Sequence, residues 1–451
     1  MSDNSQLARL GLFDARVPRY TSYPTAPHFS GGVGMPEMEA WLRAIPAGSQ
    51  ISLYVHVPFC RRLCWFCACR TQGTQSDDPV RAYAEMLCAE IALMAARLAP
   101  GITLSRLHWG GGTPTLLPAD LIVKLCATIF SAVPLAPDAE FSVEIDPNEI
   151  DEARLDALAG AGMNRASIGV QDFHPEIQRT IGRDQSYAVT KRAADMIRAR
   201  GVRSLNADIL YGLPGQTPAR IADSVEKLLS LGPDRVALYG YAHVPWMARR
   251  QQMIPSDLLP FPEERLNLFE TAQRLFARDD YAAIGIDHFA RPDDGLAVAA
   301  RERRLRRNFQ GYTDDQAPIL VGLGASSISR FPQGYIQNNP ATSAHTKAIR
   351  EGRFSAARGH VFTPDDRVRA RMIESLMCDF RIDADEMTGR FDMPRDRLAG
   401  MFHAAAGRFE DLVVVDHTGI AITDRGRPLT RMIARAFDAY DMAQTGHSQA
   451  V

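Results

Sequence analysis

Between residues 51 and about 287 one pattern recurs: a short apolar run, a polar turn, then a stretch of helical period. Strands are expected over 51–57, 104–109, 141–145, 165–170, 204–210, 236–240 and 281–286. Helical patterns lie between most of them, over 79–99, 118–130, 151–161, 187–199, 218–231 and 262–277. Several open on Pro or an acidic residue, as helix N-termini do. Repeated βα units imply a parallel sheet. The polar residues say more, because chemistry follows each strand. A cysteine loop follows the first and Gly110-Gly111-Gly112-Thr113-Pro114-Thr115 the second. Glu144 and Asp146 close the third and Gln171-Asp172 the fourth. Asp208 and Tyr211-Gly-Leu-Pro214 end the fifth, and Tyr241-Ala242-His243 the sixth. Function gathered at the C-terminal rim of parallel strands is the barrel pattern. After residue 286 the rhythm fails, so eight repeats are not available. The expected fold is α/β, a partial (β/α)6 TIM-like barrel, open at one side and able to admit a large substrate. A doubly wound open sheet is the competitor.

Outside the repeats, residues 1–50 read as an arm draped over the barrel. Its four aromatics from Phe13 to Phe29 argue against a disordered tail. The barrel is expected over 51–300, a linking segment near its opening over 301–360, and a mainly helical, winged-helix-like cap over 361–451. The cap carries a hairpin pattern at 412–423 and a helix from about Arg427. A net charge of −2 gives no reason to expect a nucleic-acid partner. No run approaches the roughly 20 apolar residues of a membrane span. The stretch Met1-Ser-Asp-Asn-Ser-Gln6 has neither the basic nor the apolar part of a signal peptide. A cytoplasmic monomer is expected.

Four of the seven cysteines fall within ten residues, and Cys60, Cys64 and Cys67 have the spacing C-x3-C-x2-C. Three thiolates so placed can hold three irons of a [4Fe–4S] cluster and leave the fourth open to a small molecule. Structural zinc wants four N/S ligands, usually as two separated knuckles, and no second knuckle exists. An odd, sparse set of cysteines is no disulfide framework. Cys88, Cys126 and Cys378 lie in apolar helical patterns and read as buried thiols. Gly110 to Thr113 offer backbone N–H groups without side-chain obstruction, so the loop can approach a ligand closely and satisfy its carboxylate or ammonium group, or it is only a tight βα turn. Glu144 and Asp208 can bond ribose hydroxyls or an ammonium, though each is equally a helix cap. The run Arg301-Glu-Arg-Arg-Leu-Arg-Arg307 is either a solvated helix face or a site for an anionic substrate.

The segments Tyr54-Val-His-Val-Pro-Phe-Cys60, Leu107-His-Trp-Gly-Gly-Gly-Thr-Pro-Thr115, Gly169-Val-Gln-Asp-Phe173 and Asp208-Ile-Leu-Tyr-Gly-Leu-Pro214 resemble the coproporphyrinogen-oxidase-like branch of radical S-adenosylmethionine (SAM) proteins. Pro18-Arg-Tyr-Thr-Ser-Tyr-Pro24, Asp287-His-Phe-Ala-Arg-Pro-Asp-Asp294 and Asn308-Phe-Gln-Gly-Tyr312 are similar to its oxygen-independent coproporphyrinogen III oxidase family. The resemblance implies a barrel of radical SAM type and a cluster on Cys60, Cys64 and Cys67, with two SAM molecules. Tyr54, Gly111, Glu144 and Ile328 would contact one SAM. Phe66, Gly112, Thr113, Gln171, Arg183, Asp208 and Ala242 would serve the two sites together, mainly the second. Tyr54, Cys69 and Glu144 would be catalytic, Cys69 without ligating the cluster. The implied reaction turns two propionates of coproporphyrinogen III into vinyls, giving protoporphyrinogen IX, with electrons from an unidentified reductant such as a flavodoxin or ferredoxin. The alternatives are a heme chaperone of the same branch, or a radical SAM enzyme with another large substrate. Such chaperones typically lack the arm and the second cysteine of the C-x-C pair, and carry an H-N-x-x-Y-W motif absent here.

Overall fold

The computed structural model describes residues 3–440. Met1 and Ser2, part of the stretch read for a targeting signal, and 441–451 of the expected cap lie outside the described residues.

The six expected parallel strands are Gln50–Val57, Thr103–Gly111, Leu135–Ile145, Arg165–Gln171, Ser204–Tyr211 and Arg235–Gly240. They pair in chain order, each parallel to the next. Side chains alternate between the two faces of a strand. On the first strand Ile51, Leu53, Val55 and Val57 face the helices and are fully buried, while Ser52, Tyr54 and His56 face the lumen. The crossover helices start where the sequence caps them: the Asp151, Ser186 and Thr217 side chains each accept a bond from the third helical N–H.

The lumen is polar in layers. Its floor is ionic: Arg106 pairs with Asp314 at 3.0 Å, Arg165 with Glu140 at 3.0 Å and Arg235 with Asp294 at 2.6 Å. Burial opposes the Glu140 carboxylate, yet Arg165, Arg235 and Arg106 hold it down at about 2. Above the floor lie His108, Ser142, Ser167 and Asn206. Tyr54 stands in register with His108, and Glu144 and Asp208 lie two residues beyond Ser142 and Asn206 on their strands, toward the mouth. A closed polar floor leaves the C-terminal rim as the open end.

Several expectations are corrected. The seventh run forms Ala282–Ile284, which turns through Gly285 (φ 55°) and pairs antiparallel with His288–Ala290. That strand is itself antiparallel to Arg235–Gly240. Residues 301–360 do more than link. Leu320–Leu323 lies parallel to the first strand on its free side, and Ile328–Phe331, Gly334–Asn338 and Ala356–Val361 extend the sheet antiparallel to 12 strands. The sheet curls without its two edges pairing, which confirms a partial barrel. The arginine run is no helix face. The helix Gly295–Arg301 stops, Arg303 takes a positive φ of 56°, and Arg306–Asn308 becomes a strand.

The arm divides between two cores. Helix Met35–Arg43 buries Met38, Trp41 and Leu42 in the barrel core. Leu7, Leu12, Phe13, Val17, Tyr20 and Tyr23 instead share a core with Met372, Leu376, Phe402 and Phe437. The early arm therefore completes the C-terminal module while also touching the barrel, where Arg19 donates to Gly240 O at 2.8 Å. That module has helices Pro364–Asp379, Ala384–Phe391, Arg395–Phe409 and Thr430–Arg435. Its three-stranded antiparallel sheet contains the expected hairpin, Val413–Asp416 with Gly419–Ile422. Among the described residues no helix is long and apolar enough to cross a membrane.

Candidate functional site

The cysteine loop leaves the first strand and is pinned at its base. Phe59–Cys60 pairs with Gln72–Gly73, and the Trp65 N–H donates to Ile181 O at 2.9 Å. Cys60, Cys64 and Cys67 lie near enough that Cys64 and Cys67 each disfavour a thiolate at Cys60, and Cys67 one at Cys64. Among the described residues no three His, Cys, Asp or Glu side chains converge on a single metal ion. A cluster presents a separate iron to each thiolate, so its ligands are spread more widely than those of one ion. Burial pushes the Cys60 thiol up to about 11 and also raises Cys64. The neighbouring thiols of Cys67 and Cys69 act on each other, lowering Cys67 and lifting Cys69 well above the usual range. Arg183 Nη1 lies 3.5 Å from both Cys64 Sγ and Asp146 Oδ2. Three sulfurs on one loop, with a buried guanidinium beside them, fit an anionic cluster with one open position.

The glycine loop differs from its sequence reading. Gly111 N–H donates to Glu144 Oε2 at 3.0 Å, Gly112 N–H to Val57 O at 2.8 Å and Thr113 N–H to Phe59 O at 2.7 Å. These N–H groups are spent within the protein, so the loop's carbonyl oxygens are what remain for an ammonium. The glycines answer to packing. A Cβ at Gly111 (φ 110°) would lie 2.4 Å from the His56 ring, and one at Gly112 2.5 Å from Phe59 O. Tyr54 OH bonds His56 Nδ1 at 2.9 Å, and the Tyr54 ring stacks on His108 at 5.8 Å. Burial works against the Glu144 carboxylate, but His108 at 3.4 Å and the Gly111 N–H keep it below the usual range. Its side chain is 42% accessible, so it faces open space deep in the mouth.

Arg183 Nη2 donates to Gly169 O at 2.9 Å, just before Gln171, which holds a left-handed φ of 69° in a bulge. Such strain persists only where the surroundings enforce it. Asp208 accepts from Asn206 Nδ2 at 2.7 Å; burial, then the charge of Glu144, raise it to about 6. Phe66 and Ala242 are joined by Gln251, whose Nε2 donates to both carbonyls at 2.7 and 3.0 Å. Ile328 opens the strand beside Leu320–Leu323, away from the cysteine loop in sequence and separated from the first strand by Leu320–Leu323 in the sheet. Sequence reasoning missed Gln251 and the chain Tyr239–His288–Asp287, with contacts of 3.4 and 2.6 Å. Only the side-by-side position of the sixth strand and its antiparallel neighbour brings that chain together.

Beside the mouth lies a cavity of ≈ 660 Å³ between the barrel, the arm and the C-terminal module. Arginines and aromatics line it, including Arg19, Arg265, Arg307, Arg431, Tyr211 and Trp246. Of the run 301–307 only Arg307 reaches it. Arg301 donates instead to Pro292 O, and Arg304 pairs with Glu302 at the surface.

Residues 54–228 match the radical SAM superfamily. The chain is 68% identical to the oxygen-independent coproporphyrinogen III oxidase of Paracoccus denitrificans over all of both chains. It is 39% identical to that of Escherichia coli over 96% of this chain and 95% of the relative. The solved structure of the Escherichia coli coproporphyrinogen III oxidase, described as a radical SAM enzyme, superposes with a TM-score of 0.89 at 38% identity, covering 95% of this chain and all of the other. The chain belongs to the oxygen-independent coproporphyrinogen III oxidase family of radical SAM enzymes.

Proposed function

We infer that this chain catalyses the oxygen-independent oxidative decarboxylation of two propionates of coproporphyrinogen III to vinyls, yielding protoporphyrinogen IX. The observation that carries the reading is the juxtaposition of a three-thiol loop and a carboxylate-bearing barrel mouth with a large arginine-lined cavity. When bound, a [4Fe–4S] cluster with SAM supplies a 5′-deoxyadenosyl radical. For each propionate, one β-hydrogen atom, CO2 and one electron leave, and a C=C bond forms.

The protein's share is holding and shielding. Cys60, Cys64 and Cys67 would hold the cluster, with Arg183 offsetting its negative charge. Glu144, fixed by His108 and the Gly111 N–H, would accept bonds from the first SAM, beside Tyr54, Gly111 and Ile328. Asp208, with Phe66, Gly112, Thr113, Gln171, Arg183 and Ala242, would serve mainly a second SAM. Cys69, beside Cys67, would tune that thiolate without ligating. An electron carrier such as a flavodoxin or ferredoxin would reduce the cluster at the cysteine-loop face. Free cysteines and an oxygen-sensitive cluster suit a reducing compartment such as the cytoplasm. The test is anaerobic reconstitution with iron and sulfide, then assay of protoporphyrinogen formation from coproporphyrinogen III with SAM and a reductant. A fully loaded protein that cleaves SAM but leaves this substrate untouched would overturn the reading.

A further inference from the structure

The fourth strand ends on Gln171-Asp172, and only Gln171 has a part in the function inferred above. Asp172 is fully buried. Its Oδ1 accepts from the His174 N–H at 2.6 Å and from Ser224 Oγ at 3.0 Å, and its Oδ2 from Gln216 Nε2 at 2.8 Å. The bond from His174 is local. The other two come from elsewhere in the chain, Ser224 from helix Pro218–Leu229 and Gln216 from the turn after the fifth strand. Gln216 holds that turn as well, since its Oε1 accepts from the Gly212 N–H at 2.7 Å and its Nε2 donates to Leu210 O at 2.9 Å. Gln178 Nε2 donates to the Asp172 carbonyl at 2.8 Å, so backbone and side chain are both fixed.

Gln171 is what this anchor holds. The Asp172 N–H donates back to Val170 O at 2.9 Å and closes a short turn on Gln171 at its φ of 69°. Turns of this hand are rare and strained, and they persist only where the surroundings enforce them. The Gln171 side chain lies over Gly169, where a Cβ would sit 3.0 Å from Gln171 Nε2 and 3.1 Å from Arg183 Nη2. Gly169 is the register partner of Asp208 on the next strand. Gln171, Arg183 and Asp208 thus gather round one residue that has no side chain. Gln185 ties Asp172 to the same place. It accepts from Arg183 Nε at 3.1 Å and donates to Gly169 O at 2.9 Å, while its backbone N–H and C=O both bond Gln178. Burying a carboxylate costs free energy that hydrogen bonds must offset. A local turn needs only the bond from His174, and the bonds from Ser224 and Gln216 go beyond it.

We propose that Asp172 is a positioning residue, which sets Gln171 and Arg183 over Gly169 beside Asp208 and so shapes the site for the second SAM. The proposal rests on the assignment above of those residues to that site. Asp172 acts through Gln171 rather than by touching SAM, because its oxygens are spent on donors within the protein.

The test is equilibrium dialysis of SAM under argon against the full-length reconstituted enzyme, with iron content and thermal unfolding read in parallel. Asp172→Asn sets an amide donor against Gln216 Nε2 or the His174 N–H, so it breaks the anchor without removing volume. It should weaken the second SAM about tenfold or more and leave the first within about twofold, with the cluster retained. Adding Gln216→Glu turns the opposing donor into an acceptor and should restore part of that affinity. Gln171→Ala should weaken the second SAM in the wild type yet add little to Asp172→Asn, as residues acting as a unit do. A general loss of stability would not produce that coupling. Should Asp172→Asn fail to fold, Ser224→Ala removes one donor of the anchor and decides the matter, with a loss of about fivefold expected. Unchanged affinity for the second SAM in the variant that folds, or losses that simply add to those of Gln171→Ala, overturns the positioning role. One SAM per cluster in the wild type would instead refute the second site, and the role with it. SAM uptake needs no porphyrinogen, so failure of the inferred decarboxylation leaves this test standing.

Discussion

Asp208 should make the free protein less stable at neutral pH than it would be with an asparagine there. Its carboxyl is raised from 3.8 to about 6, first by burial and then by the charge of Glu144. A folded pKa above the unfolded one means that folding favours the protonated acid. The penalty is therefore complete above about pH 6 and fades as pH falls toward 3.8. A shift of about two units corresponds to ~3 kcal/mol at pH 8 and ~1.5 kcal/mol at pH 5. Asparagine keeps an acceptor for Asn206 Nδ2 at 2.7 Å but weakens the contact with Ser167 Oγ at 3.4 Å, a loss of ~1 kcal/mol. Asp208→Asn should thus gain ~2 kcal/mol at pH 8 and ~0.5 kcal/mol at pH 5. Thermal unfolding without SAM at both pH values measures this. Titration calorimetry should show weaker SAM binding by the same variant, since stability and affinity trade off where a carboxylate awaits a ligand. Equal shifts at the two pH values, or destabilisation at both, would refute the reasoning.

Replacing Cys60, Cys64 or Cys67 by Ser should abolish the visible absorbance of the reconstituted cluster, while Cys69→Ser keeps it and loses turnover; iron and sulfide content checks this. Gly112→Ala would press a Cβ to 2.5 Å from Phe59 O and 2.9 Å from Val57 O. It should cost ~1–3 kcal/mol and lower cluster content, read by thermal unfolding and iron analysis. Asp294→Ala leaves Arg235, whose side chain is 4% accessible, with only the longer contact to Glu140 at 3.9 Å, and removes the cap of helix Gly295–Arg301. It should cost ~3–5 kcal/mol, with Arg235→Met restoring part of the loss in the double variant.

The barrel was legible because its six parallel strands are long, apolar and each followed by chemistry. Leu320–Leu323 escaped because it is four residues long and carries no βα rhythm. The run 281–286 looked like one more strand of the repeat, since nothing local reveals that Gly285 turns the chain back. The cysteine spacing is local and so was readable, whereas the internal bonds of the glycine loop's N–H groups were not, because their partners lie on other strands. The basic run was the densest charge in the sequence, yet density along a chain does not decide which guanidiniums converge. Arg19, Arg265, Arg307 and Arg431 are far apart in sequence and are brought together only by tertiary packing. The arm's apolar residues signalled burial correctly, but a periodicity does not name the core that receives it.

Segments on either side of the barrel finish one core, since Leu7 to Tyr23 pack with residues from Val368 onward and Arg9 pairs with Glu410 at 2.8 Å. During synthesis the arm emerges before the barrel and its partners after it. The barrel, whose strands pair in chain order, can assemble as it emerges, while the arm's apolar side must wait for nearly the whole chain. The cavity lies between arm, barrel and C-terminal module, so its walls close at the final docking step. A prematurely terminated chain would then hold a folded barrel with no complete cavity, and an exposed arm marks it as unfinished.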